Sequence, residues 1–363
     1  MSALRTRLAA HIRATGPVSV HDCMAMCLFD PQHGYYMRRE PFGREGDFTT
    51  APEVSQMFGE LISAWLVAAW RQIGSPRQPV VAEIGPGRGT LMKDVARTLA
   101  RLAPDLHDGA SFRLIETSDR LAAAQAAALE GMPASFTWHR SVEDLPRRPL
   151  LIVGNELFDA IPVRQYVKTA NGWRERCVGI GARGELVFMA GAGALDPGLL
   201  PADADSAPEG SVFEIAPARA ALMQQIAERV AQDTGAGLFF DYGHLRPGLG
   251  DTLQAVSKHR YDHPLAHPGE ADLTSHVDFA ALGDQVRGAG LEPHATTQGA
   301  FLLRLGLLER AGALGARQDE ALRERLAGEV ERLAGRDAMG ELFKVLGFAS
   351  GHAPPPGFEP PAA

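Results

Sequence analysis

Val80-Val81-Ala82-Glu83-Ile84-Gly85-Pro86-Gly87-Arg88-Gly89-Thr90 decides how the rest of the chain is read. A short apolar run ends in closely spaced glycines, and Thr90 to Leu102 follows with helical periodicity. This predicts a buried strand that turns sharply into a helix. Glycine there lets the backbone bend where other residues resist, and lets a ligand approach closely. A tight turn with no ligand satisfies the same string. The spacing separates the possible ligands. A dinucleotide fingerprint is Gly-x-Gly-x-x-Gly, whereas here the glycines are Gly85, Gly87 and Gly89, preceded by the acidic Glu83.

The strand–turn–helix rhythm continues outward. Phe112 to Ile115 reads as a second strand and Asp119 to Leu129 as an Ala-rich helix. Ser135 to His139 is a candidate third strand, with Arg140, Ser141 and Val142 after it as candidate adenine contacts. Leu150 to Val153 and Leu238 to Phe240 are further apolar runs. Short strands alternating with helices predict an α/β fold with a mostly parallel, Rossmann-like sheet. Ligands of such sheets lie outside the carboxyl ends of the strands. Glu116 falls at one such end, where a carboxylate can accept both hydroxyls of a ribose. It can equally cap the helix that opens near Asp119. A loop without pyrophosphate geometry, beside a ribose-gripping acid, suits a compact zwitterion joined to adenosine. The expected cofactor is S-adenosylmethionine.

Gly154-Asn155-Glu156-Leu157-Phe158-Asp159 leaves the Leu150 run, and a sheet enzyme places its chemistry at such positions. Methyl transfer is mainly a positioning problem. An acceptor that starts protonated, such as a guanidinium, also needs a carboxylate to hold it and favour proton loss. Glu156 and Asp159, three apart, are the candidate acids, and Asn155 is a candidate for orienting the substrate. Capping of a short helix by Asn155 and Asp159 is the competing reading. Asp241 ends another apolar run. Asp272, Thr274, His276 and Asp278 alternate near a helix start, but spacing alone does not make a metal site, and none is expected.

Composition narrows the class. A 363-residue chain that is 45% hydrophobic can bury a large core. A formal net charge of −8 argues against a nucleic-acid partner. Three cysteines, Cys23, Cys27 and Cys177, make neither a disulfide framework nor a paired zinc motif, and suit a reducing compartment. No run of about eighteen apolar residues predicts a membrane span. Arg5, Arg7 and Arg13 could belong to a targeting helix, but Leu4, Leu8 and Ile12 predict an ordinary first helix.

Residues 1–75 are expected to form a helical region over the cofactor site. It holds an ordered loop from Asp30 to Asp47 and a helix that opens near Pro52, with Met57, Leu61, Ile62, Trp65, Leu66 and Ala69 on its apolar face. Residues 76–310 form the core, with a β-rich insertion at about 163–215. Its strands are Gln165 to Lys168, Arg174 to Gly179 and Glu185 to Met189, joined by Asn171-Gly172 and Arg183-Gly184 turns and followed by a turn-rich loop from Leu195 to Gly210. Ala300 to Leu305 reads as a late strand. Residues 311–350 are a helical segment that includes Asp319 to Leu333, and 351–363 a Pro-rich tail, frayed from Ala353.

Further strings carry a resemblance. Leu28-Phe29-Asp30-Pro31-Gln32-His33-Gly34-Tyr35-Tyr36 is one, and Gly46-Asp47-Phe48-Thr49-Thr50-Ala51-Pro52-Glu53-Val54-Ser55-Gln56-Met57-Phe58-Gly59-Glu60 is another. With Glu83 to Gly89, Asn155 to Val163, Asp241-Tyr242-Gly243 and Asp272 to Phe279, they resemble the MidA / NDUFAF-type family of class I methyltransferases from Pro17 to about Gly347. The resemblance implies a class I S-adenosylmethionine-dependent sheet with an added helical region. The expected cofactor-binding residues are Glu83, Gly85, Gly87, Gly89 and Glu116: the cofactor would sit on the loop Gly85 to Gly89, with its ribose on Glu116. Read from its own residues, the polar Phe48 to Gln56 segment at the mouth of a helix could fold over the cofactor with Glu53 and Gln56, or simply cap that helix. The resemblance further implies N-methylation of an arginine in a protein substrate, a respiratory complex I subunit in the mitochondrial relative, with Glu156 clasping the guanidinium. The paired glutamates of protein arginine methyltransferases have no match here, and Asn155-Glu156 differs from the Asn-Pro-Pro-Tyr of amino-methylating nucleic-acid enzymes. A small-molecule methyltransferase and an inactive cofactor-binding assembly protein are the alternatives, and a dinucleotide oxidoreductase is a third. The expected location is a bacterial cytoplasm, or the mitochondrial matrix for a eukaryotic chain.

Overall fold

A strand buried at every position needs neighbours on both edges and cover on both faces. Val80–Ile84 (β1) meets that condition. The computed structural model describes residues 2–38, 49–257, 260–351 and 353–358, so residues 39–47 of the expected loop lie outside the described residues. β1 pairs in parallel with Ser111–Ile115 (β2) on one side. Phe136–His139 (β3) adds to the far edge of β2. On its other side β1 pairs in parallel with Leu150–Asn155 (β4), which in turn pairs with Gly235–His244 (β5). The sheet is completed by His294–Thr297 (β6) and Phe343–Ala349 (β7) in the order β6-β7-β5-β4-β1-β2-β3, with β7 antiparallel to both neighbours. The strand order reverses at β1, which makes its carboxyl end the switch point of the sheet.

The chain divides into two compact units. The larger draws on Thr49–Leu157, Ala221–Leu245 and Asp278–Ala363 and contains this sheet. Helix Gln56–Gln72 buries Met57, Phe58, Leu61, Ile62, Trp65, Leu66 and Ala69 in the same core as Leu91, Val95 and Leu99 of helix Thr90–Leu102. The smaller unit draws on Met1–Phe48, Phe158–Ala220 and Arg246–Val277. Its first helix, Ala3–Thr15, buries Leu4, Leu8 and Ile12 as expected. They share a core with Cys23 and Cys27 of helix Val20–Phe29 and with Val178 and Leu186 of the antiparallel insertion. The insertion strands are Arg164–Thr169, Gly172–Ile180, Leu186–Ala194 and Val212–Ile215.

Four expectations change. The boundary at residue 75 does not match the units, because the first two helices bury their apolar faces with the insertion while helix Gln56–Gln72 buries its face in the sheet's core. Ala300 to Leu305 is helical, within Gln298–Arg304. Thr297 caps that helix by accepting the Ala300 N–H, and a short apolar run alone cannot separate strand from helix. The strand of that region is β7, which takes residues 343–349 out of a purely helical segment and places them between β5 and β6. The described part of the tail, residues 353–358, is also tied down. Trp65 Nε1 donates to the Pro356 carbonyl at 3.0 Å, and Phe358 packs on Phe301 with ring centroids 5.0 Å apart.

Candidate active site at the carboxyl ends of the strands

Register places the site. Ile84 is level with Ile115 on β2 and with Gly154 on β4, so Gly85, Glu116 and Asn155 leave the sheet side by side. The Gly85 N–H bonds the Ile115 carbonyl at 3.1 Å, and the Glu116 N–H bonds that of His139 at 2.9 Å. Gly85, Gly87 and Gly89 all adopt left-handed backbone, at φ 67°, 54° and 80°. The φ of Gly85 favours glycine, and a Cβ there would stand 2.9 Å from Leu157 Cδ1, so that side chain would have to shift. Gly89 is the N-cap residue of helix Thr90–Leu102.

Glu83 lies beneath this turn. It is buried, and it accepts the backbone N–H of Met92, an orphan donor of the helix's first turn. Its Oε2 is buried without a hydrogen-bond partner. Burial pushes its pKa up to about 8, opposed by the Met92 bond. Glu83 therefore supports the turn from within the protein.

Glu116 is the centre of a small network. Its Oε1 accepts the Ser118 N–H at 2.7 Å, and its Oε2 accepts Gln125 Nε2 at 3.1 Å. Burial raises its pKa, and these bonds with the nearby Arg140 oppose the rise. The Thr117 N–H is a further local donor, so of a carboxylate's roughly four lone-pair sites at least one remains for a ribose hydroxyl. Gln125 Nε2 also donates to the Gly87 carbonyl at 2.9 Å, and Trp138 Nε1 donates to Gln125 Oε1 at 2.8 Å. Sequence reasoning missed Gln125 and Trp138. The available signal was one amide in the otherwise apolar Leu121 to Ala128 of helix Asp119–Ala128. Of the candidate adenine contacts, Arg140 Nη1 bonds the Glu116 carbonyl at 3.3 Å. Ser141 forms a capping box with Asp144, and Val142 is buried.

At the end of β4 the backbone is strained. Glu156 has φ 52°, a left-handed conformation that costs a non-glycine residue about 1–3 kcal/mol. Its N–H bonds the Phe240 carbonyl at 2.9 Å, and Asp241 Oδ2 accepts the Leu157 N–H at 3.1 Å. Glu156 Oε1 accepts Asn155 Nδ2 at 3.0 Å and the Ala51 N–H at 3.3 Å. Asn155 is 8% exposed, and its Oδ1 is buried without a hydrogen-bond partner.

The Thr50 to Gln56 segment is thus fastened to the strand ends. Besides the Ala51 bond, Glu53 Oε1 stands 3.9 Å from Arg88 Nη1 of the glycine turn, and Ser55 Oγ donates to Glu329 Oε2 at 2.6 Å. Gln56 is exposed at the first position of its helix. Asp159 belongs to the smaller unit, where its carbonyl accepts Arg219 Nη2 at 3.0 Å and the Ser275 N–H at 3.2 Å. The alternating polar cluster is structural as well. Asp272 accepts the Tyr36 hydroxyl at 3.1 Å, Thr252 Oγ1 accepts the His276 N–H, and Asp278 caps helix Phe279–Gly288 through Ala280 and Ala281. Among the described residues no group of three or more His, Cys, Asp or Glu is arranged to hold a metal, and no helix is long and apolar enough to cross a membrane.

Three left-handed glycines at the switch point, with a carboxylate level with them one strand away, fit an adenosine-bearing ligand. With this strand order they define a class I S-adenosylmethionine-dependent methyltransferase. Comparison with known proteins agrees. Residues 61–297 match the family described as "Putative S-adenosyl-L-methionine-dependent methyltransferase", and the chain belongs to that family. It is 34% identical to the mitochondrial protein arginine methyltransferase NDUFAF7 of Danio rerio, over 93% of this chain and 85% of the relative. For the Homo sapiens protein the identity is 32%, over 92% and 80%. A Burkholderia thailandensis protein solved with S-adenosyl-homocysteine is 30% identical with a TM-score of 0.79, covering 99% of this chain and 93% of that one.

Proposed function

We propose that this methyltransferase N-methylates an arginine side chain of a protein. The glycine turn and Glu116 would hold the cofactor, and Asn155 and Glu156 the acceptor. When bound, S-adenosylmethionine supplies a sulfonium methyl group that an attacking nitrogen can take. The chain's own part is then to align that nitrogen and deal with its proton.

The observation that carries this reading is Glu156, held in left-handed backbone at a central strand end with its carboxylate braced by Asn155 and Ala51. Strain of this kind persists where the surroundings over-determine it, and it gathers at functional sites. A braced carboxylate is a pre-set partner for a guanidinium, whose planar fork matches two oxygens. The buried, unpartnered Asn155 Oδ1 adds an acceptor for a third N–H. As the nitrogen bonds to carbon it sheds a proton, and an adjacent carboxylate favours that loss. Asp159 is given no catalytic part, and Glu53 is assigned to hold the amino-terminal segment against Arg88. The names of the relatives, protein arginine methyltransferases, support the choice of arginine, and the family resemblance makes a respiratory complex I subunit the first substrate to try.

The test is a peptide array, with purified complex I subunits beside it, incubated with isotopically labelled S-adenosylmethionine and read by mass spectrometry. Methyl groups on arginine, lost in Glu156→Gln, are expected. Label on lysine or on small molecules alone, or unchanged turnover in Glu156→Gln, would overturn the proposal.

A further inference from the structure

Gln125 is fully buried, and each polar atom of its amide has a partner of fixed character. Trp138 Nε1–H can only donate, so it fixes Oε1 as the acceptor. The Gly87 carbonyl and the Glu116 carboxylate can only accept, so they take the two Nε2 hydrogens. The amide cannot be flipped without three like-with-like contacts. One planar group thereby sets the distance between the glycine turn and the carboxylate of the next strand. Nothing else among the described hydrogen bonds joins Gly87 to Glu116. Gly87 has φ 54° and Gly89 φ 80°, conformations glycine adopts freely, so the turn's own backbone does not fix where the Gly87 carbonyl points and the Gln125 bond does. Glu116 is held locally by the Ser118 N–H on Oε1 and by the Thr117 N–H, and Gln125 on Oε2 is the side-chain bond that ties it to the glycine turn.

We propose that Gln125 is a positioning residue for the cofactor, acting through Glu116 and Gly87, with Trp138 locking its amide. The inference rests on the reading of Glu116 as the ribose acceptor. It assigns selectivity for the ribose hydroxyls to a helix residue that touches no ligand. A carboxylate accepts two vicinal hydroxyls well only when its plane is fixed. Without the amide, Glu116 can swing, and the turn can drift from it.

The test uses the full-length protein and two probes, S-adenosylhomocysteine and its 2′-deoxyribose analogue, titrated by calorimetry. Gln125→Glu keeps the size and the acceptor for Trp138, and replaces the two donors with a carboxyl that beside Glu116 can carry at most one proton. It is expected to weaken S-adenosylhomocysteine binding by about tenfold or more, and binding of the deoxy analogue by only about twofold, so the preference for the ribose collapses. Trp138→Phe keeps the ring and deletes one N–H. It should give the same collapse at reduced size, about threefold, and stands in if Gln125→Glu does not fold. Combining Gln125→Glu with Glu116→Ala should add almost nothing to Glu116→Ala alone. A variant that melts earlier yet keeps the wild-type preference would mark the amide as mere packing and overturn the proposal. If Glu116→Ala itself leaves the preference intact, the ribose reading of Glu116 fails. If Glu116→Ala abolishes it while both Gln125→Glu and Trp138→Phe preserve it, only the role of Gln125 fails.

Discussion

Two buried polar clusters, one in each unit, differ in how fully they are satisfied. In the smaller unit, Arg219 is 2% exposed and every donor group is used: Nε and Nη2 reach the Ile161 carbonyl, Nη2 also reaches the Asp159 carbonyl and Ser275 Oγ, and Nη1 reaches the Ser275 and His276 carbonyls. The strand ends of the larger unit instead carry a buried Asn155 Oδ1 and a buried Glu83 Oε2 without partners, beside Glu156 in left-handed backbone. Among the described residues, the left-handed non-glycines are Ser75, Gln78, Glu156 and Thr234, all in the larger unit. Ser75, Gln78 and Thr234 precede strands, whereas Glu156 follows one. A saturated hub is what stability selects, and strain with spare acceptors at a switch point is what a ligand site retains.

The largest expected effect tests the hub. Arg219→Met leaves several buried carbonyls without donors and should cost about 4 kcal/mol of unfolding free energy in a denaturant titration. Affinity for S-adenosylhomocysteine should change by less than about twofold if the hub is purely structural. Gly85→Val should do the reverse. Its backbone at φ 67° and the contact with Leu157 cost a valine about 3 kcal/mol, and calorimetry should show roughly a 100-fold loss of affinity.

Glu83 gives a pH signature. Its pKa is about 8 when folded against an ordinary 4.5. Below the lower value both states hold the proton, so nothing is lost. Between the two, the unfolded state releases the proton and the folded state keeps it, and stability falls as pH rises. Above about 8 the loss is complete. Denaturation curves of Glu83→Gln should therefore match wild type near pH 4 and gain on it as pH rises, by on the order of 2 kcal/mol at about pH 6. An unchanging difference would contradict the buried, proton-holding carboxyl. The smallest effect concerns Glu156→Gly. Relieving the left-handed strain should raise stability by about 1 kcal/mol while turnover disappears, and a loss of stability would remove the strain argument.

The larger unit was readable in sequence where its signals are local. The β1 run and its glycines, the helix after them and Glu116 past the next strand are set by hydrophobic period and glycine placement, and each fell where expected. The late strand was not readable, because Phe343–Ala349 owes its place to β5 and β6, far off in the chain, while the Phe301-Leu302-Leu303 run offers the same local pattern and forms a helix. The partition of residues 1–75 was hidden for the same reason. Two amphipathic helices announce their apolar faces but not the surfaces that will cover them. At the site, Glu156 could be singled out as an acid, but its strain depends on φ, which no pattern encodes. Gln125 looked like an ordinary helix residue until Gly87, Glu116 and Trp138 were brought around it.

The most direct measurement pairs S-adenosylhomocysteine titration with turnover for wild type, Glu116→Ala and Glu156→Gln, each also titrated with NAD. Wild type should bind the homocysteine ligand at about micromolar Kd, near −8 kcal/mol, and ignore NAD. Glu116→Ala should lose most of that affinity, and Glu156→Gln should keep it while turnover falls by about 100-fold or more. NAD binding, or two variants that lose affinity and turnover in the same proportion, would contradict a site divided between a cofactor carboxylate and an acceptor carboxylate.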